Sequence, residues 1–219
     1  MRNWIGILAV GLALLSGCAA NQGNTALLNG RLHVSEEGKY YKVQLEALVR
    51  DSVPAVPYTN WMQFRKSFFK CRLQNPKNFG VPSAVSMELM TAVHGGYETK
   101  YAQMAYDVLE HDYTSIAAHE ELSNNLSIAP NVREFHAAVH DALLKSIINS
   151  GDGQTPETAL FVISVVEEYQ ALAAMGLTVD GQRLVHKGNH HYDVLTAHNK
   201  EGETRDVYFA IDTFYGMFY

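Results

Sequence analysis

Residues 150–169 constrain the fold most, because they separate two unlike halves of the chain. Before them, apolar residues recur at helical spacing, and after them short runs of β-branched and aromatic residues alternate with turn residues. Within this stretch, residues 160–163 are apolar and too few for a helix, which favours a buried strand. Ser164 with Glu167 is typical of a capping box that begins a helix. The sequence predicts an α+β fold in which repeat-like helical hairpins precede a small antiparallel sheet with one helix.

The same patterns divide the chain into four segments. Glycine, asparagine and glutamine near the N-terminus predict a flexible tether over residues 20–25. We expect the two long segments to form one continuous domain. The segments are a signal peptide (1–17), a lipidated cysteine with its tether (18–30), a helical half (31–149) and a strand-helix-hairpin half (150–219).

The N-terminus carries the features of an exported protein. Arg2 precedes an apolar run over residues 4–15, which is too short to span a bilayer. The run ends in a motif that resembles the lipobox of bacterial lipoproteins, Leu15-Ser16-Gly17-Cys18. The resemblance implies cleavage before Cys18, acylation of its thiol and new amino group, and transport of a protein with Ala19 at the second mature position to the outer membrane, facing the periplasm. The alternative is an ordinary cleaved signal peptide.

Charge and cysteine content narrow the partners. The chain has 17 basic and 23 acidic residues. Removing residues 1–17 removes only Arg2, so the mature charge is 16 − 23 = −7. This balance argues against nucleic acid and against electrostatic attachment to anionic lipid, and leaves the acyl chains at Cys18 as the membrane anchor. Acylation of Cys18 leaves Cys71 as the remaining thiol, which we expect to be buried between apolar neighbours.

Two further resemblances concern the body of the chain. One apolar helical pattern returns 34 residues later, which resembles tetratricopeptide repeats; the two sets are Tyr101, Ala105, Leu109 and Phe135, Val139, Leu143. Fewer than three clear repeats are visible. The segments SGDGQTPETA, EEY, YDVL and VYF resemble an uncharacterised family of bacterial domains, often secreted or lipidated, over roughly residues 60–212. That resemblance implies a compartment and a fold boundary, and no activity.

Histidines supply the candidates for a metal site. His136 and His140 are four residues apart on one predicted helix, so their imidazoles project from one side. His119 of the preceding predicted helix reaches His136 if the two helices pack antiparallel. Three histidines are a donor set for Zn²⁺. The metalloprotease motif requires Glu after the first His, and Ala137 stands there. The alternative is a hydrogen-bonded core histidine.

The turn at the start of the second half is a further candidate. Ser150, Asp152 and Gly153 could form a functional loop for an anion or a metal, or a structural turn in which Asp152 accepts backbone hydrogen bonds. Ser150 and Asp152 with His140 could also form an acyl-transfer trio. Glu167 and Glu168 diverge by about 100° on a helix, so we interpret them as a dipole-favoured first turn.

The function follows from the lipobox, the acidic charge and the incomplete catalytic motifs. We expect a membrane-anchored, non-catalytic module that binds a protein or peptide, of which an inhibitor or immunity protein is a narrower form. We expect no cofactor. The alternative is a zinc-dependent hydrolase that uses His119, His136 and His140, so enzymatic activity stays an open question.

Overall fold

A computed structural model describes residues 23–91 and 99–216. In these two ranges the helices precede the strands, apart from one helix that follows the first strand. The α-helices are Gly23–Leu28 (α1), Glu36–Asp51 (α2), Trp61–Gln74 (α3), Ser83–Thr91 (α4), Thr99–His111 (α5), Ile116–Asn124 (α6), Pro130–Ile148 (α7) and Val165–Ala174 (α8). Two short 3-10 helices span Val53–Tyr58 and Pro156–Thr158.

Polar caps set where several helices begin. The Asn60 side chain accepts a hydrogen bond from the Gln63 backbone N–H at 3.0 Å and starts α3. Ser164 does the same for α8 by accepting from the Glu167 N–H at 3.4 Å, as the capping-box pattern predicts. Pro130 occupies the first turn of α7, where its missing N–H has no partner to lose.

The four strands form one mixed sheet in the order β1-β4-β3-β2. They are Leu160–Phe161 (β1), Thr178–Lys187 (β2), His190–His198 (β3) and Thr204–Ala210 (β4). The α+β class is confirmed, but the prediction of an antiparallel sheet is wrong for β1, which pairs with β4 in parallel. The reason is that α8 carries the chain across the sheet from β1 to β2, and a helical crossover starts the next strand in the same direction.

One hydrophobic core joins the helical half to the sheet. Leu143 and Ile147 of α7 are buried in the same cluster as Leu160, Leu195 and Phe209 of three strands. A smaller cluster fills the space between α4, α5 and α6. Cys71 lies in the main cluster, fully buried, so the prediction of a buried thiol is confirmed. Burial raises the pKa of that thiol to about 12, which keeps it protonated.

The tether is shorter than the sequence predicts. Residues 23–25 belong to α1, where the Asn24 amide donates to the Leu109 carbonyl at 2.6 Å and accepts from the Tyr41 hydroxyl at 2.7 Å. The buried Asn24 therefore fixes α1 against α2 and α5. The prediction of a flexible segment is wrong for residues 23–25, and its first residues, 20–22, lie outside the described part of the chain.

None of the helices in the described ranges combines the length and the hydropathy needed to cross a bilayer. The predicted signal peptide and the lipobox cysteine Cys18 lie outside the described residues.

Candidate functional site

The edge strand β2 is the most exposed strand that the structure describes. β2 is ten residues long, none of its residues is buried, and it occupies the end of the strand order. Leu184 is 38% exposed, although it lies opposite the buried Asp193 on the face of the sheet that packs against the core. An edge strand of this length presents unpaired backbone N–H and C=O groups along its outer side.

Two carboxyl groups are buried beside this edge. Glu168 of α8 is fully buried, and Asp193 of β3 is 1% exposed. Both oxygens of Glu168 and Oδ1 of Asp193 accept no hydrogen bond from any residue outside this pair, and the two carboxyl groups hydrogen-bond each other. The remaining oxygen, Asp193 Oδ2, accepts a hydrogen bond from the amide of Gln182, an exposed residue of β2. We call Glu168 and Asp193 the carboxyl pair.

The environment of the carboxyl pair favours the protonated form. Burial, and next the charge of Asp193, raise the pKa of Glu168 to about 9. Burial also raises the pKa of Asp193 above its ordinary value, although the hydrogen bonds with Gln182 and Glu168 oppose this shift. At neutral pH Glu168 therefore holds a proton, and the pair carries at most one negative charge.

The neighbouring glutamate is the opposite case. Arg65 of α3 donates to both oxygens of Glu167, from Nε to Oε1 at 2.9 Å and from Nη2 to Oε2 at 2.6 Å. The same guanidinium donates to Ser146 Oγ and to the Phe161 carbonyl. Both members of the ion pair are buried. The interpretation of these glutamates as a helix first turn is correct for their position, but it missed that both are buried.

A polar cleft lies between α3, α4, α8 and the turn after α5. It has a volume of about 350 Å³, part of which is open to solvent, and Arg72, Asp112, Ser164 and Gln170 line it. Burial raises the pKa of Asp112 to about 6, against the opposing hydrogen bonds from Thr114. The Gln170 amide nitrogen has no hydrogen-bond partner. The cleft thus contains the guanidinium of Arg72 and the carboxyl group of Asp112, which can exchange a proton near neutral pH.

The structure brings together two of the three predicted metal-site histidines. His119 Nδ1 lies 2.8 Å from His136 Nδ1, and His119 Nε2 lies 3.2 Å from the Tyr113 carbonyl. The carbonyl can only accept, so Nε2 of His119 carries the proton and its Nδ1 accepts from His136. Burial lowers the pKa of both rings, that of His136 to about 3, which makes both neutral.

His140 takes no part in this contact. Its Nδ1 lies 3.0 Å from Asp141 Oδ1. Within residues 23–91 and 99–216, there is no group of three or more His, Cys, Asp or Glu side chains with metal-binding geometry. His119 and His136 therefore act as a hydrogen-bonded pair between α6 and α7 in this structure.

The predicted functional turn is held by its own hydrogen bonds. Asp152 Oδ1 accepts from the Gln154 N–H and from the Thr158 hydroxyl. The Ser150 hydroxyl donates to the Ile147 carbonyl and accepts from the Phe161 N–H. The Ser150 hydroxyl and Asp152 Oδ1 are thus engaged within the turn, with the end of α7 and with β1.

Gly153 ties this turn to the sheet. Its N–H donates to the Thr158 carbonyl, and its carbonyl accepts from the Tyr208 N–H of β4, both at 2.8 Å. Its φ of 68° is unfavourable for a side chain, and a Cβ would lie 2.9 Å from Val207 Cγ1.

We expect Gly153→Ala to lower the free energy of unfolding by about 2 kcal/mol, from backbone strain together with this contact. Gly188→Ala is the matched control, because Gly188 has a φ of 61° and nothing near its Cβ position. Urea denaturation compares the two. A loss no larger than that of the control would show that the contact with Val207 is relieved at no cost.

The adjacent histidines His190 and His191 share one carboxylate partner. His190 Nδ1 lies 2.7 Å and His191 Nδ1 lies 3.1 Å from the two carboxylate oxygens of Asp212. Asp212 lies two residues after the end of β4, and its carboxylate reaches both residues at the start of β3. After β4 the Tyr215 ring stacks on the His191 ring, with 3.6 Å between the ring centroids, and residues 217–219 lie outside the described part.

The chain is similar to one family of known sequences. A family model described as "Domain of unknown function (DUF4919)" matches residues 99–216. No curated protein and no solved structure matches significantly. The match runs from α5 through β4 and so includes the histidine pair, the turn and the carboxyl pair, whereas Arg65 precedes it. The family boundary is at residue 99, not at about residue 60 as the sequence resemblance suggested. The chain belongs to the DUF4919 family of uncharacterised domains.

Proposed function

We propose that this protein is a lipid-anchored cell-envelope protein whose body binds an extended segment of a partner protein or peptide along β2. The observation that carries the proposal is the exposed outer edge of this ten-residue strand. Addition of a strand to a free sheet edge is a common mode of peptide recognition, because the main-chain hydrogen bonds supply affinity.

The charges of β2 leave its edge accessible. Native proteins often protect an edge strand with charged side chains. Here the charged residues of β2 each contact a side chain of the same molecule: Asp180 contacts His198, Arg183 contacts Asp206, and Lys187 contacts Glu157. These contacts hold the charges over the sheet and its neighbouring loop, so they do not extend past the edge to repel an incoming strand.

The anchor follows from the lipobox. With acylation at Cys18, four residues separate the lipid-bearing cysteine from Gly23, where α1 begins. Five residue steps extend at most about 18 Å, so the body would lie close to the membrane surface. The absence of Asp at position 19 favours the outer membrane, with the body facing the periplasm. An inhibitor or immunity protein is the narrower form of this proposal.

A photo-crosslinking experiment tests the binding surface. We expect a benzoylphenylalanine placed at Leu184, in cells that make the full chain, to form a discrete adduct with another protein. The same residue at Leu126, which is 41% exposed on the loop after α6, is the matched control. Absence of an adduct at position 184, or equal adducts at both positions, would contradict binding along β2.

Acylation is tested separately. We expect the native protein to begin at Cys18, to incorporate labelled palmitate and to fractionate with the outer membrane, because several acyl chains give stable anchoring. In Cys18→Ser the label should be lost and residues 1–17 retained, as intact-mass measurement would show. Cys71→Ser, at the buried thiol, should keep both the label and the cleavage. Retention of palmitate by Cys18→Ser would disprove the lipobox assignment.

The contact between His119 and His136 gives the zinc hydrolase its one geometric support. A shared metal would have to replace the proton between the two Nδ1 atoms, and His140 would have to leave Asp141. Metal analysis of the native protein decides: less than about one equivalent of zinc, or the same content in His136→Ala, rejects this alternative.

A further inference from the structure

We propose that the segment bound along β2 carries an arginine, or less favourably a lysine, whose side chain reaches the carboxyl pair Glu168 and Asp193. This inference rests on the proposed function in one respect, the use of β2 as the docking strand. It adds the chemistry of the partner: an extended peptide with a basic residue on the face that meets α8.

The register of the sheet places the basic residue. Leu184 of β2 lies directly opposite Asp193 of β3, so the two share a face of the sheet. A residue opposite Leu184 on an added strand would share that face too. Neighbouring strands are about 4.8 Å apart, so the Cα of this residue would lie about 10 Å from that of Asp193. The long stems of arginine and lysine can bridge this distance, whereas short side chains cannot.

The carboxyl pair lacks the cation with which buried carboxylates are normally paired. Within residues 23–91 and 99–216, neither Glu168 nor Asp193 forms an ion pair, and apart from the hydrogen bond from Gln182 the two carboxyl groups have only each other as hydrogen-bond partners. By contrast, Glu167, which precedes Glu168 in α8, accepts hydrogen bonds from Arg65 of α3 at both of its carboxylate oxygens. A guanidinium presents five donors in a planar fork and can engage two oxygens at once. An arginine from the partner would therefore do for the carboxyl pair what Arg65 does for Glu167.

The carboxyl pair can become accessible from the side of β2 if the side chain of Gln182 moves. Gln182, the residue that donates to Asp193, is exposed and lies on the edge strand itself. Its side chain can rotate away and leave Asp193 Oδ2 to an incoming donor. The chain's net charge of −6 also favours a basic partner over an acidic one.

Selection from a phage-displayed library of random heptapeptides tests this proposal on the full mature chain. We expect the selected peptides to share one arginine flanked by strand-forming residues. In a synthetic copy of a selected peptide, replacement of this arginine by citrulline, which keeps the shape and removes the charge, should weaken binding by about tenfold to 100-fold. Fluorescence anisotropy measures both affinities.

Variants of the protein make the test specific. The double variant Glu168→Gln, Asp193→Asn should bind the arginine and citrulline peptides equally. Glu201→Gln, an exposed carboxylate in the hairpin between β3 and β4, should keep the preference. Hydrogen exchange should show slower exchange of β2 amides on binding.

The negative outcomes are distinguishable. Selected peptides without a basic residue, or an arginine preference that survives in the double variant, overturn the carboxyl pair as the recognition element. A concentration-dependent dimer joined through β2 in sedimentation assigns the edge to a second copy and overturns the peptide partner. The proposed function fails on its own terms, through the crosslink at position 184 and the palmitate label, whatever the peptides show.

Discussion

Replacing Arg65 with methionine should destabilise the protein by about 3–5 kcal/mol, the largest effect that we expect from one substitution. Methionine fills a similar volume, so the loss comes from the charge of Glu167, which would remain buried without its cation. The Ser146 hydroxyl and the Phe161 carbonyl would lose their donor as well. The midpoint of urea denaturation, followed by circular dichroism, measures the effect.

Two variants show whether the buried charge is the cause. Glu167→Gln in the Arg65→Met background removes the charge and should recover part of the lost stability. Arg50→Met removes an exposed ion pair with Asp51 and should change the midpoint little, because solvent screens such pairs. If Arg65→Met is no less stable than Arg50→Met, the ion pair between α3 and α8 does not hold the two halves together.

This ion pair also bears on the limits of the domain. Arg65 belongs to α3, and its contacts lie on α7, β1 and α8, all within the segment that matches the family. The family segment of this chain thus receives its central cation from a helix outside the match. Its core likewise includes Phe64 and Phe68 of the same helix. The family segment and α3 thus share one core, and the extent of the domain over residues 31–219 stays a prediction.

The sequence predicted what depends on neighbouring residues. The cap at Ser164 could be predicted because the capping side chain and the Glu167 N–H that donates to it are three residues apart. The hairpin after β3 was readable from its turn residues. The full extent of β2 could not be predicted, because its polar composition hides a strand that pairing with β3 defines over Thr178–Lys187. The tetratricopeptide likeness stays a prediction.

The sites were harder to predict from the sequence, because the residues that contact each other in them are far apart in the chain. Arg65 lies beside the aromatic residues of α3, and its partner Glu167 is 102 residues away. Asp193 and Leu195 are two residues apart and share the core face of β3, so strand periodicity could have predicted that Asp193 is buried. That Glu168 would face it depends on how α8 packs on the sheet, which no local pattern records.

Glu168→Gln should stabilise the protein at neutral pH, by up to about 3 kcal/mol at pH 7. The pKa of Glu168 is about 9 in the folded protein against an ordinary 4.5. Below pH 4.5 both the folded and the unfolded chain hold the proton, so burial of this carboxyl costs nothing extra. Between pH 4.5 and 9 only the folded chain holds it, so the stability of the native protein falls as the pH rises. Glutamine has the shape of the protonated acid and does not titrate.

The difference in unfolding free energy between Glu168→Gln and the native protein should therefore be near zero at pH 4 and grow up to pH 9. Urea denaturation at four or five pH values measures it, with Glu201→Gln as the exposed control. A difference that does not change with pH would show that Glu168 is ionised in the folded protein. A pH-dependent gain would mean that the native chain keeps a carboxyl pair that weakens its own fold, as proteins do at sites where a residue serves binding more than stability.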